Sequence, residues 1–444
     1  MKICFIPIDN RPVCYNLAKD IAAIDNDIEL LIPPREYLGD LKKNAKVNLI
    51  IDWLKQISDC DAMILSLDTL AYGGLIPSRR GVDEEGNIET FEDIKQRIEK
   101  IKPLLKGKKV YAFSSIMRIS NNNYNEEEKE YWKDYGKKIF EYSFSNGLNK
   151  SDIPEEILDD YLKTRKRNFE INRMYLNWQK EGLFDTLIFS KDDCAIKGFN
   201  VKEAQELEKL GGKTKTGADE IPLTLLARAI KKDIKIYPEF LEPNYKNCVS
   251  NYEDVSIEQS VLGQLELGGF ELAATKQDAD IILIINNFVN KQGELVMGWE
   301  TGAKYKGNFI TPQKPYAVAD VRFANGADND FVEDFLLHIN NEIFYGYSAW
   351  NTSANTLGSL LAGIKVKWNA KKYNEEAFDK LQMIRFLDDW AYQANVRGKI
   401  KAPCNIKNLM QPYENKLAAM FNCNKKFSYS YPWNRKFEIE VSIQ

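Results

Sequence analysis

Short apolar runs recur along the chain, rich in Val, Ile, Leu and Phe, with amphipathic charged stretches between them. The runs are "KICFIPID", "IELLIPP", "AMILSLD", "KVYAFSS", "DTLIFSKDD", "IKIYPEF", "DIILIINN" and "YAVADV". Continuous rather than alternating apolar character predicts strands covered on both faces, as in a parallel sheet. Stretches such as "VNLIIDWLKQISDC", "FEDIKQRIEKIKPLL" and "DEIPLTLLARAIKK" read as the intervening helices. Strand–helix alternation predicts an α/β fold with parallel strands, and eight runs favour a (β/α)8 TIM-like barrel over an open sheet. "YGYSAWN" is a ninth strand or the true eighth.

The spacing of the runs is uneven. Residues 121–184 form a long charged insertion with helical patterning, a helical cap or lid over the barrel or an elaboration of its outer layer. From residue 369 the pattern changes again. "EEAFDKLQMIRFLDDWAYQANV" is helical, and "FSYSYPWNRKFEIEVSIQ" reads as an aromatic loop and a final strand. The expected organisation is a barrel over 1–368, including the insertion, and a C-terminal extension over 369–444.

Composition narrows the function. The chain has 444 residues, 44% of them hydrophobic, enough for a large core. A net charge of −4 lacks the basic excess of nucleic-acid binders. No run approaches the ~18 apolar residues of a membrane span, and "MKICFIPIDNRP" lacks the apolar core of a signal peptide. Seven scattered cysteines without a CxxC pair suit free thiols in a reducing cytoplasm. The single histidine, His338, lies in the helical "FVEDFLLHINNEI". Zinc sites, Ser-His-Asp triads and Cys-His dyads lean on His, so the chemistry falls to carboxylates, Tyr, Lys, Arg or a hard metal.

The candidate chemistry sits where the runs end, the active-site end of barrel strands. The ends supply Asp9 and Arg11; Asp68, with Tyr72 and Gly73 after it; Arg118; Asp192 and Asp193; Asn286 and Asn287; Asp320; and Trp350 and Asn351, with Asn355 following. Asp also caps helices, so single cases carry little. As a set, Asp, Asn, Arg and Trp suit a pocket that binds many hydroxyls and stacks on a sugar ring. The doubled acid in "LIFSKDDCAIKGFN" carries a charge conflict that raises one carboxyl, as a general acid requires. A second doubled acid, Asp219 and Glu220 in "KTGADEIPL", reads first as a loop entering a helix, with Asp219 as cap and Glu220 in the first turn, and second as a ligand site at Gly217 and the helix N-terminus.

Six blocks, "IPIDNRPVCYN", "LSLDTLAYGGLIPSR", "TGADEIPLTLLARA", "DVRFANGAD", "YSAWNTSANTLG" and "YPWNRKFEIEV", together resemble a bacterial family catalogued only as a domain of unknown function. The segment "LIFSKDDCAIKGFNVKEAQELEKL", with "SAWN", resembles the catalytic segment of retaining β-N-acetylglucosaminidases of the O-GlcNAcase and bacterial hyaluronidase-like type. That resemblance implies that Asp192 orients the substrate's 2-acetamido group, that Asp193 is the general acid/base, and that Trp350 and Asn351 contact the sugar. The acetamido oxygen would be the nucleophile. The expected function is thus a glycoside hydrolase on a β-linked N-acetylhexosamine-type sugar, with a small-molecule or oligosaccharide substrate and no cofactor. Two alternatives stand beside it. One is a Mg²⁺- or Mn²⁺-dependent hydrolase using Asp9, Asp68, Asp192 and Asp320. The other is a non-catalytic carbohydrate-binding barrel.

Overall fold

The structure, a computed structural model, describes the chain except Ser58, Ser151, Asp193, Cys194 and Lys231. The chain forms two compact units: residues 1–15 with 29–222, and residues 16–28 with 223–444.

The first unit is built on six strands: β1 (Lys2–Ile6), β2 (Glu29–Leu31), β3 (Ala62–Ser66), β4 (Val110–Ile116), β5 (Thr186–Lys191) and β6 (Lys213–Thr216). They lie in the order β2-β1-β3-β4-β5-β6, every neighbouring pair parallel. All residues of β3 and β4 are buried, as continuous apolar runs require when both faces are covered. Leu65, Ala112 and Leu187 join a single apolar cluster with Ile50 and Leu54 of the helix Val47–Gln56 and Ile94 and Ile98 of the helix Phe91–Glu99. The second of these helices starts at a capping box. Thr90 accepts from the Asp93 amide, and Asp93 accepts from the Thr90 amide.

The charged insertion contains the helices Trp132–Phe144 and Glu155–Lys180. The longer helix is the crossover between β4 and β5, and its Ile171, Tyr175, Leu176 and Trp178 enter the same apolar cluster. That face makes the helix part of the sheet's packing layer.

In the second unit the strands are β7 (Lys235–Phe240), β8 (Glu271–Leu272), β9 (Ile281–Asn286), β10 (Gly293–Glu294), β11 (Tyr316–Asp320), β12 (Phe323–Ala324), β13 (Phe344–Ser348), β14 (Phe427–Ser430) and β15 (Glu440–Ile443). The main sheet has the order β13-β11-β9-β7-β8 and is parallel. β10 pairs with β12, and β14 pairs antiparallel with β15. The helix Asn16–Ala22 belongs to this unit, packed on the helices Ser353–Asn369 and Glu375–Arg385. Asp20 pairs with Lys380 at 3.3 Å, and Asp25 accepts the amides of Lys371 and Lys372.

Counted in chain order within each sheet, both units read 2-1-3-4-5, and the first adds a sixth strand. This is an order of doubly wound open sheets, whose ligands bind at the C-terminal strand ends. The α/β class and the parallel strands agree with the sequence. The strand pairings of the described residues fall on separate sheets and close no ring, so the expected single eight-stranded barrel is not among them. Buried parallel strands alternating with helices are common to both architectures. The expected boundary at 368 lies inside the second unit, whose packing carries the C-terminal helices along with its sheet. No helix among the described residues is long and apolar enough to cross a membrane.

Leu65, fully buried in β3, tests the first core. Leu65→Ala should lower the stability of the first unit by about 2–5 kcal/mol, read as an earlier first transition in urea unfolding followed by circular dichroism.

Candidate functional site

The first sheet delivers its polar residues at the C-terminal strand ends. After β1 the chain runs through Pro7 and Ile8 to Asp9, Asn10 and Arg11. Arg11 turns back on Asp9: its amide donates to Asp9 Oδ1 and its Nε to Asp9 Oδ2, both at 2.9 Å. Its Nη2 lies 2.8 Å from Asp9 Oδ2 and donates to Asp219 Oδ1 at 2.6 Å. Asp219 is held there by the turn after β6. Gly217 has φ +112°, and a Cβ on it would lie 1.7 Å from the Glu220 carboxylate, so this turn requires glycine. Glu220 in turn accepts the Ala218 amide at 3.1 Å.

A second group of charges stands beside the first. Arg79, 1% exposed, donates to Asp192 Oδ2 at 2.5 Å and lies 3.5 and 3.6 Å from Glu127 and Glu128. Arg118 reaches Glu127 at 2.8 Å, Glu128 at 3.0 Å and Asp192 at 3.7 Å. Two guanidiniums thus fix three carboxylates, with Glu127 and Asp192 the more open members. The groups are electrostatically linked. Burial pushes the Asp219 carboxyl up; Arg11 opposes this, and the charges of Asp9 and Asp192 add to it. Asp219 thus holds its proton more tightly than an exposed aspartate does, in company with carboxylates that arginines bind.

Asp68 was expected to meet substrate. It is fully buried, its Oδ2 accepting the Ser115 amide at 2.9 Å and its Oδ1 the Ser114 hydroxyl at 3.3 Å. It ties the end of β3 to β4, and burial raises its carboxyl to about 6. Tyr72 and Gly73 end the helix Leu67–Tyr72, with Gly73 as its left-handed cap at φ +84°.

The remaining expected residues lie in the second unit. Asn286 donates to Asp320 at 2.8 Å and accepts from Arg322 at 3.1 Å. Asp320 also accepts the Asp328 amide at 2.8 Å and the Tyr347 hydroxyl at 3.1 Å, and Arg322 pairs with Asp328 at 3.2 Å. Burial and the Asp328 charge push Asp320 upward. Asn287 both donates to and accepts from the Glu242 backbone at 2.9 Å. Trp350 is buried edge-on to Phe437 at 6.0 Å, Asn351 takes φ +56°, and Asn355 donates to Thr352 at 3.1 Å. The residues expected on a single rim thus belong to two separate sheets. Asp193 lies outside the described residues.

The metal set expected from Asp9, Asp68, Asp192 and Asp320 does not assemble within one unit, because Asp320 belongs to the second and Asp68 is tied to β4. Among the described residues, Asp9, Cys14 and Asp219 bring donor atoms within 4.8 Å of one another. The Arg11 guanidinium already stands as the cation between the two carboxylates. Arg79, Glu127 and Glu128 were not singled out in the sequence. "SRR" follows an apolar stretch, where a buried arginine must find anions, whereas "NEEEKE" carries the mark of a solvated helix.

These observations define an α/β protein of two parallel sheets with a buried carboxylate–arginine cluster at the C-terminal ends of the first. Residues 3–442 match the family described as "Protein of unknown function (DUF4127)", and the chain belongs to it, in line with the blocks quoted from the sequence. No curated protein and no solved structure matches the chain.

The internal role of Asp68 has a pH signature. An unfolded Asp titrates near ~3.9, so folding gains from the tighter-held proton at low pH, and the gain is lost as pH rises through about 6. Asp68→Asn keeps an acceptor for the Ser115 amide and removes the titration. The fall in melting temperature between about pH 4 and 6 should be shallower in this variant, measured by scanning fluorimetry.

Proposed function

We propose that the protein is a glycoside hydrolase whose acid–base chemistry is carried by Asp219 and Asp192 of the first unit. The supporting observation is the raised Asp219 carboxyl in one charge cluster with Asp192, which Arg79 and Arg118 hold. Protonated Asp219 gives its proton to the leaving-group oxygen as the glycosidic C–O bond breaks. The Asp192 carboxylate faces the positive charge that builds on the sugar. Water supplies the new C–O bond, and its released proton restores Asp219. Arg11 keeps Asp219 oriented while Asp9 offsets the guanidinium charge. The reading takes a β-linked N-acetylhexosamine as the substrate class, and its support there is the resemblance of "LIFSKDDCAIKGFN" to retaining β-N-acetylglucosaminidases.

The test is a panel of nitrophenyl and disaccharide glycosides of N-acetylhexosamines and neutral hexoses. Asp219→Asn should lower kcat/KM on the disaccharide by about 10²–10⁴-fold. The loss should be smaller on the nitrophenyl glycoside, whose leaving group needs no proton. Wild-type activity should fall as pH rises through the Asp219 titration. No turnover of any glycoside by the wild-type protein, or an Asp219→Asn variant as active as wild type on the disaccharide, would overturn the assignment.

A further inference from the structure

The first unit carries a polar cavity of about 220 Å³, lined by none of Asp9, Arg11, Arg79, Asp192 or Asp219. Its walls include Tyr72, Asp83, Glu84, Glu85, Glu89 and Arg97. Tyr72 is 3% exposed, and its hydroxyl has no hydrogen-bond partner. A buried phenol that lacks a partner in its own fold carries a desolvation cost that a ligand can relieve. The Arg167 guanidinium covers the Tyr72 ring at 5.2 Å, which fixes the orientation of the phenol.

The charge of the walls is one-sided. Four carboxylates face one guanidinium, and Arg97 is paired with Glu89. Glu84 accepts the Val47 amide at 3.1 Å, and Asp83 accepts the amides of Glu85 and Asn87 at 2.9 and 2.8 Å. These bonds fix the carboxylates without neutralising them. Nor do the acids converge on a point. The one group of three or more ligands found close enough for a single ion, among the described residues, is Asp9, Cys14 and Asp219. Dispersed negative charge beside an unpartnered oxygen suits an extended organic cation better than a compact metal ion.

We propose that this cavity binds a small aliphatic polycation, a diamine or polyamine, with one ammonium group donating to the Tyr72 hydroxyl oxygen and further ammonium charge lying along Asp83, Glu84 and Glu85. The proposal does not depend on the glycosidase reading, since the cavity shares no residue with that site. Titration calorimetry of the full chain with putrescine, spermidine and magnesium chloride tests it. Spermidine should bind more tightly than putrescine, and less tightly as salt is raised. Tyr72→Phe removes a hydroxyl with no partner in the fold, and Glu85→Gln changes an exposed side chain. Each should weaken spermidine by at least about fivefold. Three results would overturn the proposal: no spermidine binding, equal affinity in wild type and Tyr72→Phe, or displacement of spermidine by an equal concentration of magnesium.

Discussion

The guanidinium of Arg11 sits between two buried carboxylates, Asp9 and Asp219, and the polar chemistry of the first unit depends on that placement. β1 and β6 stand four places apart in the sheet, a gap of ~19 Å at the usual strand spacing. The loops after these strands, together with the reach of the arginine, close the gap to 2.6 Å. Desolvating each of these ions costs several kcal/mol, so the three charges are tolerable only as a set. The cluster therefore draws the loops after these strands toward one another, and the burial it requires raises the Asp219 carboxyl. Glycine at 217 is the covalent counterpart of this arrangement, because it lets the chain after β6 turn without striking Glu220.

Much of the secondary structure was legible in the sequence. The apolar runs became strands of the two main sheets, and the charged stretch after "KVYAFSS" became helical, as its patterning predicts. What the runs do not state is which strand lies beside which. Parallel strands flanked by helices look alike in a barrel and in an open sheet, and only edge pairing separates them. The strand-end acids were also legible as a set, but not their division between two sheets. Asp9, Arg11, Arg118, Asp192 and Asp219 meet in the first unit. Asp320 instead enters an internal network with Asn286, Arg322 and Tyr347. Arg79 was hidden for a physical reason: an arginine 1% exposed requires anions supplied from distant sequence, here Asp192, Glu127 and Glu128.

The two sheets share a strand order yet use their polar ends differently. In the first unit, arginines fix carboxylates beside an acid that burial raises, and Asp192 and Glu127 remain partly exposed. In the second, the amide of Asn286, the hydroxyl of Tyr347 and the Arg322–Asp328 pair close around Asp320 and satisfy it from within. One arrangement keeps two arginine-bound carboxylates partly exposed; the other stiffens the junction between strands.

The assignment of residues 16–28 to the second unit bears on how the chain is made. Leu17, Ala18 and Ile21 of the helix Asn16–Ala22 are covered by a unit whose helices at 353–385 leave the ribosome tens of seconds later. During that interval the nascent protein carries an apolar helix with no resting place, beside a first sheet that can already assemble. A cut at the 222/223 boundary would make this temporary condition permanent: one fragment would hold an orphan helix, and the other the bare surface that it should cover.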